Sequence, residues 1–122
     1  MLNTAFAILT VAVLLGAAIA LQYLRGGASH SVPWPFAALH GLIGIGGLCC
    51  LVLALRGPPR GLEQGTASFG IIAAALLAFA ALAGLGILLM RRGKGQRAGT
   101  LIGVHATLAI GGFVVLAAYL MA

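Results

Sequence analysis

The chain contains a single acidic residue, Glu63, against seven Lys/Arg, and only 7% of its 122 residues are charged. A soluble domain carries about 25% charged residues, so this inventory cannot cover a water-facing surface. The lack of carboxylates excludes chemistry in which two acids share proton-donor and proton-acceptor roles. No nucleophile elbow and no phosphate-binding loop is present either. Cysteine is as scarce. Cys49 and Cys50 are adjacent, and there is no Cys-x-x-Cys pair for zinc and no Cys-x-x-Cys-His for covalent haem. Vicinal cysteines in a helix make a poor disulfide, so they read as small packing residues.

Apolar residues make up 62% of the chain. They fall into four runs, about 3–24, 35–55, 67–90 and 98–121, each long enough to cross a hydrocarbon core of roughly 30 Å as a helix. The segments between them, RGGASHSVPWP, RGPPRGLEQGT and RRGKGQR, hold nearly all the charge and proline. The expected fold is all-α: one polytopic membrane domain over 1–122, four transmembrane helices in an up-down bundle made of two repeated hairpins. The run Ala18-Ile19-Ala20 resembles a cleavage site, but MLNT carries no basic residue and the apolar run is long, so the first run reads as a retained helix.

The basic excess lies in the loops and reads as a topology signal rather than a nucleic-acid surface. Arg25, Arg91, Arg92, Lys94 and Arg97 share one side, against Arg56 and Arg60 on the other. The positive-inside rule puts both termini outside and the loops 25–34 and 91–98 inside, in a bacterial inner membrane. Tyr23, Trp34 and Tyr119 sit where interfacial anchors belong.

Two stretches nearly repeat. HGLIGIGGLCCLVLAL starts at His40 and HATLAIGGFVVLAAYL at His105, 65 residues later. At that offset Ile45-Gly46-Gly47 matches Ile110-Gly111-Gly112, Leu51 matches Leu116 and Leu55 matches Leu120, while the first and third runs match far less well. A unit of two spans repeats in parallel, about an axis along the membrane normal. His40 and His105 then lie ~9 and ~12 Å of helix rise from the inner boundary.

Positions four and seven residues on share the histidine's helical face. They are Gly44 and Gly47 after His40, and Ala109 and Gly112 after His105. Such strips alone would signal close helix packing. A histidine at membrane depth costs free energy unless partnered, and none of the four runs contains a carboxylate. Two facing strips would leave a flat slot with an imidazole on either side. Two neutral imidazoles can take both axial positions of one haem iron, with Arg25, Arg91, Arg92, Arg97 and Trp34 placed to meet the propionates.

His40, Gly44, Gly47 and His105, Ala109, Gly112, placed on two parallel helices of a four-helix bundle, resemble the b-type cytochrome membrane domains. The larger members of that group stack two haems through a second histidine about four turns along each helix. The corresponding positions here, near Leu53, Ala54, Ala118 and Tyr119, hold none. The resemblance therefore implies one haem b, ligated by His40 and His105. It also implies an electron-transfer role as a subunit of a larger membrane complex, with a quinone or another cytochrome as partner. Six-coordinate iron would leave no open position, so a carrier is expected rather than a catalyst.

Other classes are open to the same residues. A non-redox accessory subunit would satisfy its histidines with backbone carbonyls or a partner chain. A pigment protein would bind one magnesium per histidine. A small cation transporter would need an intramembrane carboxylate, and two histidines alone make a poor divalent-metal site. Gln22 and Tyr23 could border a quinone but read first as interfacial anchors. His30, in ASHSVPW, has no repeat counterpart and reads as a solvated loop residue.

Overall fold

A computed structural model describes residues 1–26, 33–90 and 96–122, with the side chains of all but 26 and 96–98. The described residues form four helices and no strand: α1 (Leu2–Gly26), α2 (Trp34–Ala54), α3 (Phe69–Leu89) and α4 (Gln96–Met121). All four contain segments long and apolar enough to cross a membrane, 24, 21, 21 and 23 residues in turn. The protein is a four-helix integral membrane protein. The helix limits agree with the apolar runs to within two residues at each end.

Local chemistry sets the ends. Pro33 and Pro35 flank the start of α2, where their missing N–H groups fall among donors that have no intrahelical acceptor. Gly57-Pro58-Pro59 stops its continuation beyond Leu55. The 55–68 connection then reverses direction through Gly61 and Gly65, at φ +69° and +70°. A Cβ at Gly61 would also collide with the Thr66 hydroxyl, and the turn closes through Thr66 N–H donating to the Gly61 carbonyl at 2.9 Å. The Arg60 N–H donates to the Tyr119 hydroxyl at 3.2 Å, tying this loop to the end of α4.

Each hairpin packs mainly within itself, α1 on α2 and α3 on α4. The hairpins meet less extensively along α2–α3 and α1–α4. The ring order is therefore α1-α2-α3-α4, and α2 and α4 lie across the diagonal. One joint between hairpins is aromatic: Phe6 of α1 stacks on Phe113 of α4 with centroids 5.0 Å apart.

The core repeats more fully than the 65-residue match indicates. Ala5, Leu9 and Ala12 of α1 are buried, and so are Ala73, Leu77 and Ala80 of α3. These triplets coincide at an offset of 68, and Gly16 then falls on Gly84. The helix 1/helix 3 likeness is thus strong once the register is right. Gly47 and Leu51 of α2 coincide with the buried Gly112 and Leu116 of α4 at 65. The offsets differ because the first hairpin carries three more residues around its bend.

The core is also lopsided. Every buried described residue lies on the half nearer the 55–68 loop, and Leu51 and Leu116 are fully enclosed there. Residues 13–25, 33–46, 81–90 and 99–111, which contain both histidines and the turns on either side of them, include none that is buried.

Candidate histidine site

The two histidines converge. The imidazoles of His40 and His105 lie with centroids 5.9 Å apart and ring planes at 84°. Each is also held by its own hairpin. His40 Nδ1 donates to the Ala12 carbonyl of α1 at 2.9 Å. His105 Nδ1 donates to the Ala80 carbonyl of α3 at 2.7 Å. Ala12 and Ala80 are equivalent in the repeat, so the arrangement has an internal two-fold.

A carbonyl oxygen can only accept, so each Nδ1 carries the proton and each neutral ring keeps its lone pair on Nε2. Neither Nε2 has a hydrogen-bond partner among the described residues, and neither is an enclosed, unsatisfied atom. Two basic nitrogens are thus left without a partner among the described residues, on two rings whose centroids are 5.9 Å apart. Nδ1 bonded to a backbone carbonyl and Nε2 free is the state in which imidazole ligates a metal. With metal–nitrogen bonds of about 2 Å and each ring centre about 1 Å further out, two imidazoles on one ion would have centroids about 6 Å apart. The donor set and spacing fit a group that takes two axial imidazoles. No cluster of three or more His, Cys, Asp or Glu exists among the described residues, so a conventional multidentate cation site has no ligands there.

The glycines divide into two kinds. Gly47 does not face α4. A Cβ there would lie 2.7 Å from Leu9 Cγ, so it seats Leu9 and draws α2 against α1. Gly112 does the same in the second hairpin, where a Cβ would lie 2.9 Å from Leu77 Cγ and 3.2 Å from the Leu77 backbone nitrogen. These two belong to packing within each hairpin rather than to the two sides of a slot. Gly44 is different: a Cβ there would meet nothing within 4 Å. Ala109 is half-buried.

Adding a methyl at either seat overpacks it, at about 1–3 kcal/mol. The relief should differ. Leu9→Ala removes the two nearest atoms that Gly47→Ala would strike, leaving Ile8 Cγ2 at 3.2 Å, so the double variant should be less destabilised than the sum of the two singles. Leu77→Ala should restore Gly112→Ala less, because Leu76 Cβ and the Leu77 nitrogen, 3.1 and 3.2 Å away, remain. Denaturation midpoints of the two double-mutant cycles measure this.

The remaining expected residues are scattered or lie elsewhere. Arg25 is exposed in the last turn of α1, and Trp34 is exposed at the start of α2. Arg97 lies in the first turn of α4, and its side chain is outside the described residues, as are Arg91, Arg92, Lys94 and His30 altogether. Gln22 is exposed and Tyr23 half-buried. Cys49 is exposed, Cys50 half-buried, and both are free thiols. Sequence reasoning missed Ala12, Gly16, Ala80 and Gly84. Their signal, Ala-x3-Leu-x2-Ala-x3-Gly at 5–16 and at 73–84, is in the sequence, but a single offset of 65 hides it. In comparisons with protein-family models, curated proteins and solved structures, nothing matches this chain.

Proposed function

We propose that the protein is a single-haem b-type membrane cytochrome that transfers electrons, with one haem b held between α2 and α4 by His40 and His105. The observation that carries this reading is the imidazole pair: two rings 5.9 Å apart, each with Nδ1 held by a carbonyl and Nε2 free. The absence of buried residues beyond the histidines among the described residues supports it.

When bound, the haem supplies one-electron transfer, tuned by axial ligands, burial and nearby charge. The chain's own residues do the rest. Ala12 and Ala80 fix the tautomer and strengthen both ligands. Gly44 and Ala109 leave room beside the macrocycle. Arg25, Arg91, Arg97 and Trp34 would receive the propionates at the inner boundary. With five basic residues on that side against two, the termini lie outside and the 25–34 and 91–98 loops inside, in a bacterial inner membrane. One haem near one face does not span the bilayer, so the electron must continue to a quinone or another cytochrome, as in a subunit of a larger complex.

One observation favours a second reading, a non-redox accessory subunit: both Nδ1 atoms are satisfied by backbone carbonyls. Against it, neither Nε2 has a partner among the described residues. A reduced-minus-oxidised spectrum of protein purified after haem-replete expression decides. One haem per chain with a low-spin b-type spectrum is expected. A colourless protein would leave the accessory reading, and magnesium-pigment bands would replace the haem.

A further inference from the structure

The carbonyls that hold the histidines belong to ordinary helical turns, and such oxygens are usually covered. In an α-helix each Cα–Cβ bond tilts toward the N-terminus, so the side chain at position i+4 lies over the carbonyl of position i. A second hydrogen bond from another helix then has to pass that Cβ. The residue four after Ala12 is Gly16, and the residue four after Ala80 is Gly84. Both acceptors lack the covering atom.

The space is taken by the imidazoles themselves. A Cβ at Gly16 would lie 2.8 Å from His40 Cε1 and 3.4 Å from its Nδ1. A Cβ at Gly84 would lie 3.1 Å from His105 Cε1 and 3.2 Å from its Nδ1. The same opening occurs twice, on non-adjacent helices, each time under a histidine and over the carbonyl that it reaches. Other glycines are dispensable in this sense: a Cβ at Gly41, Gly44 or Gly46 would meet nothing within 4 Å.

We infer that Gly16 and Gly84 are positioning residues: each uncovers one helix carbonyl so that the facing histidine donates from Nδ1 and keeps its lone pair on Nε2. The geometry makes Ala12-x3-Gly16 and Ala80-x3-Gly84 part of the site, although neither glycine touches what Nε2 binds. A methyl at Gly16 pushes the His40 ring off Ala12, which frees Nδ1 and lets the proton move to Nε2. A ring in that tautomer has lost the lone pair needed to ligate a metal from Nε2. The functional consequence rests on the haem reading. The tautomer assignment does not.

The test reads tautomers in haem-free protein. Nitrogen-15 chemical shifts of labelled histidine, in the full chain reconstituted in lipid nanodiscs, separate Nδ1–H from Nε2–H. In the native chain His40 and His105 should both be Nδ1–H with an unprotonated Nε2. Gly16→Ala should shift the His40 ratio roughly three- to tenfold toward Nε2–H and leave His105 unchanged, the loss of one interhelical hydrogen bond setting the scale. Gly84→Ala should do the reverse, more weakly, since its added methyl sits further from the ring. Gly46→Ala, with nothing to strike, should alter neither. Nε2–H at both histidines of the native chain, or a folded Gly16→Ala with an unchanged His40, overturns the inference. If Gly16→Ala does not fold, the native tautomers still decide. A chain that takes up no haem yet shows these tautomers discards the cytochrome and keeps the positioning role.

Discussion

On the proposed haem reading, replacing both His40 and His105 with alanine should abolish haem uptake, and each single replacement should leave a five-coordinate, weakly retained haem. The two singles should resemble each other, because the imidazoles occupy equivalent places in the repeat and use equivalent carbonyls. Loss of a partner that merely orients a ligand weakens metal binding by about 10–100-fold, so loss of the ligand itself should exceed that. Haem-to-protein stoichiometry and the low-spin to high-spin change of the ferric spectrum are the readouts. One single variant with an unaltered spectrum would show that one histidine is not a ligand and would end the two-imidazole reading. Unaltered spectra in both would place the haem elsewhere. Neither alanine removes a core side chain, since both histidines are only half-buried, so a folded apoprotein is expected in every case.

Stability should be divided between the two halves of the bundle as burial is. Leu51→Ala and Leu116→Ala each empty a fully enclosed site in the half nearer the 55–68 loop, at about 2–5 kcal/mol apiece. Ile19→Ala and Ile102→Ala, half-buried on the other side of the histidines, should cost the apoprotein clearly less. Haem then changes the comparison. A ligand that binds only the folded chain stabilises it by about 2.7 kcal/mol at a hundred times its Kd. Thermal unfolding in detergent, with and without haem, should therefore show a rise of the midpoint that His40→Ala and His105→Ala reduce. It should also show Ile19→Ala and Ile102→Ala becoming more costly in the loaded protein than in the empty one. Equal costs in the two forms would mean that the half away from the 55–68 loop does not close on the ligand.

Much of this molecule could be read before its fold was known, and the reasons are physical. A bilayer demands about twenty apolar residues per helical span, so the runs around Ala12, Gly47, Leu77 and Leu116 announced α1 to α4 nearly to the residue. Proline and glycine marked the bends at 33–35 and 57–61. The pairing of His40 with His105 was also legible, because a titratable side chain is costly at that depth and rare enough for its register to count.

The roles of the glycines were less so. In sequence Gly44 and Gly47 are alike, both on the face of His40. The fold separates them, since Gly47 receives Leu9 while Gly44 faces free space. Which neighbour meets a helical face depends on how the hairpins turn toward each other, and apolar composition does not encode that rotation. The helix 1/helix 3 repeat was hidden for a related reason. Three extra residues at one bend shift the register from 65 to 68, and only the paired burial of Ala5, Leu9 and Ala12 with Ala73, Leu77 and Ala80 shows which alignment the molecule uses.

Composition and spacing by themselves determined four membrane helices, a repeated hairpin and two histidines at one depth, because the bilayer constrains length and polarity one helix at a time. Tertiary structure alone decided what the histidines bond to. The Ala12 and Ala80 carbonyls, bare for want of a Cβ at Gly16 and Gly84, are brought within reach only when each hairpin closes on itself, and that contact leaves each Nε2 without a partner among the described residues.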